Sequence, residues 1–274
     1  MSVTADQERR FYDQNYAPHL NAAEGALRVD RAILAAQFDD PASSYYERRL
    51  LYRTALEKLL AQPVKGCRAL DYGCGVGEWG VMLAVEGAQV TLLDLSPVAI
   101  EVALRRARAS GVAGAVRGVA RDASDLSCFA DGEFDLIFGS AAVHHTLKYS
   151  HAFDELMRVL RPGGRLVLAE NWGNNPLLDA ARRLRWRISA EPAEAGEGIF
   201  FNREDVEKLR QRMRQVEVTP LNLLAMGKRL FRGRFQNPAV RAIMAGLEGI
   251  DRGLLRALPG LRIYCGEAVV AAEK

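Results

Sequence analysis

The stretch Asp71 to Gly80, DYGCGVGEWG, sets a carboxylate two positions before a run of closely spaced glycines. Glycines so placed let backbone approach a ligand with no Cβ in between. Two registers fit the run. Gly75-x-Gly77-x-x-Gly80 spells the fingerprint that cradles a pyrophosphate, whereas Gly73-x-Gly75-x-Gly77 begins directly after Asp71. Asp94 follows at the distance a ribose-binding carboxylate needs in either register, so it does not discriminate. Asp71 does. A carboxylate ~4 Å from a phosphate charge is repelled by roughly 4 kcal/mol at an effective dielectric near 20. The same carboxylate attracts a ligand that carries an ammonium and a sulfonium. On this reading Gly80 lies inside a helix, where its small size serves packing.

A second set of residues could do acid–base work. His144 and His145 are adjacent, so at most one faces a given cleft. Glu170 and Ser140 stand at the ends of expected strands, and Asp122 and Asp125 sit in a loop after another. A positioned base typically adds about 10²–10⁴-fold when the reacting group has a proton to lose. For the histidines a base and a packing or capping role both remain open. For Glu170 a base and a substrate-ammonium partner are open. Ser140 is read as a ligand contact or a plain strand-end serine, Asp122 as a ligand contact or a solvated loop acid.

The elements that hold these residues alternate. CRALDYG, AQVTLLDLS, AVRGVA, EFDLIFGS and RLVLAE read as strands, separated by helices or loops. Ser96 caps the helix after the second strand, with Pro97 at its first position, and Ser150 is expected to cap HAFDELMRVL. Arg161-Pro162-Gly163-Gly164 reads as a turn. The pattern predicts an α/β doubly wound sheet, with every parallel strand ending on the ligand-binding edge. Residues 1–62 are expected to form a helical lid that includes a capping box at Ser44-x-x-Glu47. The core spans 63–171, and 172–235 form a helical insertion with Asn202 as a cap. Residues 236–274 supply a helix and the strands that complete the sheet.

LDYGCGVGEWG, LLDLS, RDASDL, FDLIFGSAAVHH and LMRVLRPGGRLVLAE resemble, in order and spacing, the class I SAM-dependent methyltransferases. The resemblance covers about residues 66–171 and is nearest to the small-molecule branch with a histidine pair after strand four, here Val143-His144-His145-Thr146. It implies a seven-stranded, mostly parallel sheet and S-adenosylmethionine (SAM) as cofactor. Asp71, Tyr72, Gly73, Gly75 and Gly77 would hold its methionine half, Asp94 and Leu95 its ribose. Asp122 and Ala123 would hold its adenine, and Ser140 would stand where donor and acceptor meet. His144, His145 and Glu170 are the catalytic candidates, and no metal is expected. The implied reaction is methyl transfer to an O or N atom of a small molecule, in natural-product or cell-surface sugar and lipid chemistry. A non-catalytic SAM-binding subunit and an NAD-dependent oxidoreductase are the alternatives. Amino-directed nucleic-acid enzymes carry Asn/Asp-Pro-Pro-aromatic after strand four, and this chain has Gly139-Ser140-Ala141-Ala142.

The chain has 274 residues, a net charge of +3 and 49% hydrophobic residues, which suits one large globular unit and argues against a nucleic-acid surface. The four cysteines lack C-x-x-C spacing, the polar start MSVTADQERR lacks an export signal, and no apolar window is long enough to span a bilayer. A cytoplasmic protein is expected. Residues 171–240 hold 13 basic and 8 acidic residues, with RRLRWR and KRLFRGRF as dense stretches. Two readings stand: a surface for an anionic or carrier-bound acceptor or a membrane, and a solvated helix face. Phe11, Tyr12, Tyr16, Tyr45 and Tyr46 are aromatic candidates for a lid, and the acceptor is expected to enter between that lid and 172–235.

Overall fold

A computed structural model describes residues 5–146, 149, 151–188 and 200–274, without the side chains of 182, 183 and 185–188. Five strands run parallel: β1 (Arg68–Tyr72), β2 (Gln89–Asp94), β3 (Val116–Ala120), β4 (Phe134–Ser140) and β5 (Leu160–Asn171). With β6 (Gln215–Leu221) and β7 (Glu267–Glu273) they form a seven-stranded sheet ordered β3-β2-β1-β4-β5-β7-β6. β7 runs antiparallel to both of its neighbours, β5 and β6.

Side chains alternate along each strand, so the apolar runs feed two cores. One face packs Ala69, Leu92, Phe138 and Val269 against α3 (Arg31–Gln37), α4 (Arg49–Leu59), α5 (Glu78–Val85) and α6 (Pro97–Ala109). The other packs Leu70, Leu93, Ile137 and Val270 against α8 (Ala152–Val159) and α10 (Arg203–Arg210). Outside these layers lie α1 (Ala5–Tyr16), α2 (Glu24–Leu27), α7 (Val143–Thr146), α9 (Pro176–Ile188) and α11 (Pro238–Ala257). Ser96 Oγ accepts from Ala99 N at 3.0 Å with Pro97 in the first turn, and Asn202 caps α10 in a reciprocal box with Asp205. These stops fall where the sequence puts them.

Four expectations are corrected. The Ser44–Glu47 box does not form: a 3-10 turn at Tyr46–Arg48 precedes α4, and Glu47 pairs instead with Arg229 and Arg232 at 3.0 Å. The Arg161–Gly164 turn is absorbed into β5, with Gly163 at φ 71°. Residues 172–235 are not an all-helical insertion, because they contain β6. Its QVEVTPL alternates with period two, and Pro220 is tolerated because β6 is an edge strand. Correspondingly residues 236–274 supply one strand, β7, and a 3-10 turn at Pro259–Tyr264 precedes it. Ser150 and the side chains of RRLRWR other than Leu184 lie outside the described residues.

Three of the four cations of KRLFRGRF are drawn into internal ion pairs, and Arg234 is exposed. Lys228 is buried and bonded to Glu267 at 2.7 Å, while Arg229 and Arg232 clamp Glu47. These three cations tie the segment between β6 and β7 onto the N-terminal region and β7. Among the described residues no helix is long and apolar enough to cross a membrane.

Candidate active site

The C-terminal ends of β1, β2 and β4, the loop after β3, α7 and α1 surround a cleft of about 250 Å³. At its floor Gly73 has φ 69°, and the amides of Gly73 and Cys74 both donate to Leu93 O at 2.9 Å. A side chain at Gly73 would run into Ala142. Gly77, at φ 78°, starts α5 in a left-handed conformation that glycine adopts without strain.

Asp71 does not meet the cleft. Its carboxylate is buried and accepts from Gly80 N, in the first turn of α5, at 2.8 Å. It thus satisfies one of the helix's unpaired amides from across the loop. Burial pushes Asp71 up to about 7, against the pull of the Gly80 amide and helped by Asp94. The carboxyl that the sequence sets before a cationic ligand thus packs behind the loop, bonded to Gly80 N. Gly80 is small for the reason expected, since a Cβ there would collide with Leu92 and with Asp71 itself. Gly75 and Gly77 also shape the cleft without lining it.

Asp94 closes the other side of the loop. Its Oδ2 accepts from Gly75 N and its Oδ1 from Ser96 N, both at 2.9 Å. Each oxygen keeps a further lone pair, and Asp94 lines the cleft. Burial raises its pKa, the Ser96 and Gly75 amides oppose this, and Asp13 of α1 adds to it. Beside it Leu95, Tyr72, Asp122, Ala123 and Ser140 also line the cleft, as does Gly73. Tyr72 donates to Ala123 O at 2.7 Å and lies 2.9 Å from Thr146 Oγ1. Asp122 turns its own loop by accepting from Ser124 N at 2.8 Å.

The three acid–base candidates divide. Glu170 is fully buried: its Oε1 accepts from Ala142 N at 3.2 Å and Val143 N at 2.9 Å, and its Oε2 lies 2.6 Å from His144 Nδ1. It caps α7, and neither it nor His144 lines the cleft. His145 does. Ala141, just before the capped turn, sits at φ 53°, a strained conformation for a residue with a Cβ.

Sequence reasoning missed Glu8, Ala141, Ala142, Thr146 and Tyr149 as cleft residues. The amphipathic aromatic helix ahead of the core was the signal for the first. Of the aromatic lid candidates, Tyr12 and Tyr16 line the cleft. Phe11 packs edge-on against Tyr12, Tyr45 bonds Glu78 at 2.5 Å, and Tyr46 packs on Phe235. Among the described residues none from 172–188 or 200–235 lines the cleft, so the expected entry beside that insertion finds no support.

The model of the family described as "Methyltransferase domain" matches residues 70–168. A demethylmenaquinone methyltransferase of Clavibacter sepedonicus is 35% identical over 145 residues, 50% of this chain and 57% of that one. The O-methyltransferase rstn1 of Aspergillus nomiae is 30% identical over 177 residues, 62% of this chain and 73% of that one. The chain spans about half the length of some curated relatives, 57% and 47% in two of them. Among solved structures, the 4+2 cyclase SpnF superposes with a TM-score of 0.59 at 20% identity, over 100% of this chain and 97% of that one, a likeness of fold. The ordered motifs, the sheet and these relatives lead to one assignment: the chain belongs to the class I SAM-dependent methyltransferases.

Proposed function

We propose that the protein transfers the methyl group of SAM to an O or N atom of a small-molecule acceptor. One observation carries the proposal. Tyr72, Gly73, Asp94, Leu95, Asp122, Ala123 and Ser140, drawn from four separate strand ends, converge on a single cleft. The donors and acceptors there suit the cofactor. Asp94 has lone pairs left for ribose hydroxyls, Asp122 and the Ala123 amide suit the adenine edge, and bare backbone at Gly73 admits the methionine chain. SAM supplies an electrophilic methyl, so the chain's main task is to align the acceptor, which is worth about 7–11 kcal/mol when orientation is good.

His145 faces the acceptor side and takes a proton where the acceptor has one to lose. His144 and Glu170 hold the turn that presents it. Support for O-directed transfer comes from the Aspergillus relative, named an O-methyltransferase. Lys228, Arg229 and Arg232 are engaged in internal ion pairs, which favours a free small molecule over an anionic carrier or membrane as partner.

The test is production of S-adenosylhomocysteine from SAM over a panel of hydroxyl and amine acceptors. Turnover with at least one acceptor class is expected. Cofactor binding with no turnover on any acceptor would instead identify a non-catalytic SAM-binding subunit.

A further inference from the structure

We propose that Glu8 of α1 completes His145 as the proton acceptor of this site, so that docking of α1 over the cleft assembles the base. The inference rests on the methyltransferase reading above and narrows it to acceptors that release a proton on methylation.

Glu8 and His145 line the same cleft from elements far apart in the chain. Glu8 Oε1 stands 3.9 Å from His145 Nδ1, with side chains only 11% and 18% exposed. In so little water a carboxylate favours imidazolium over imidazole. The ring of His144 packs behind His145 at 4.2 Å between centroids and is itself fixed by Glu170 at 2.6 Å. His145 is therefore backed by a held ring, with the Glu8 carboxylate 3.9 Å from its Nδ1. Among the described residues, the carboxylates of Asp94 and Asp122 on the cleft wall and of Glu170 behind His144 also stand near it. These share the sign of Glu8.

The docking of α1 is specific. Ser96 Oγ donates to Asp13 Oδ1 at 2.5 Å, and the missing Cβ of Gly75 leaves room for the Tyr16 hydroxyl. Yet α1 buries none of its residues, as suits an element that opens for ligand exchange. Chemically, the acceptor's lone pair forms a bond to the methyl carbon. The carbon–sulfur bond breaks with its electrons left on sulfur, which departs as the neutral thioether. The acceptor's proton moves to Nε2 of His145, and Nδ1–H faces Glu8, which stabilises the resulting imidazolium. Release of α1 returns the proton to solvent. A hydroxyl or a primary or secondary amine fits this balance. A tertiary amine has no proton to give.

Histidine side-chain NMR on the full chain tests the proposal, with His145→Gln used to assign the resonance. Wild type, Glu8→Gln and Glu8→Asp are titrated with pH, alone and with S-adenosylhomocysteine as probe. Glu8→Gln is expected to lower the proton affinity of His145 about three- to tenfold, and Glu8→Asp to restore part of it. An identical His145 titration in wild type and Glu8→Gln, with and without the probe, would overturn the pairing. Failure of the probe to bind wild type would count against the methyltransferase reading instead, and the unliganded titrations would still decide the Glu8–His145 pairing.

Discussion

One turn of helix, α7, sorts the acid–base groups of the cleft. Glu170 receives two amides and the His144 ring, which leaves His145 on the open side. Glu170→Ala would leave those buried donors without an acceptor, at about 1–3 kcal/mol each before relaxation. A net loss of about 2–4 kcal/mol in urea unfolding is expected, and a smaller loss for Glu170→Gln, which keeps an acceptor. That only one histidine of an adjacent pair can face the cleft was readable from the sequence. Which one was not, because the choice depends on Glu170, 26 residues further along. The burial of Asp71 was hidden for a similar reason. A carboxylate before glycines looks ready for a cation, and nothing in the string shows the Gly80 amide folding back to claim it.

The β1–α5 junction behaves as a unit in which Asp71 and Gly80 fit each other. Gly80→Ala gains helix propensity of about 1 kcal/mol but forces a methyl into Leu92 and Asp71. Overpacking costs typically about 1–3 kcal/mol, so a net loss of stability is expected in thermal unfolding. Asp71 also gives the junction a pH signature. Its folded pKa of about 7 lies above the ordinary value of 3.8. Its contribution to stability is therefore complete below about pH 4 and is lost as pH rises through about 7. Asp71→Asn cannot ionise, so the stability of the variant relative to wild type should rise between about pH 5 and pH 8, read from urea midpoints. A constant difference would contradict the burial of Asp71. Strands β1–β5 and the caps of α6 and α10 were evident in the sequence, since periodicity and capping are local. Strand β6 was not, because Pro220 breaks its pattern and its pairing with β7 spans the whole of α11.

Across the molecule, a buried polar network joins the N-terminal helices, the sheet and the segment before β7. Glu267 accepts from Arg48 at 2.9 Å, Lys228 at 2.7 Å and Asn222 at 2.6 Å. Burial alone would raise Glu267, but Lys228 and Arg48 outweigh it and pull it to about 2. Its stabilising contribution is present above its ordinary value of 4.5 and fades as pH falls toward 2. Glu267→Gln strands two buried cations and should cost about 3–5 kcal/mol at neutral pH, with a shallower loss of stability in acid than wild type shows. Circular dichroism across pH checks both. Partners 219 and 39 residues apart are invisible to local reading, which is why the basic stretch stayed open between a docking surface and a solvated helix face.

Titration calorimetry of S-adenosylhomocysteine and NADH against wild type and Asp94→Ala is the most direct check on the cofactor site. Wild type should bind S-adenosylhomocysteine and not NADH, and Asp94→Ala should weaken that binding about tenfold or more through lost hydrogen bonds to a charged acceptor. Binding of NADH with no heat from S-adenosylhomocysteine would contradict the assignment of the cleft.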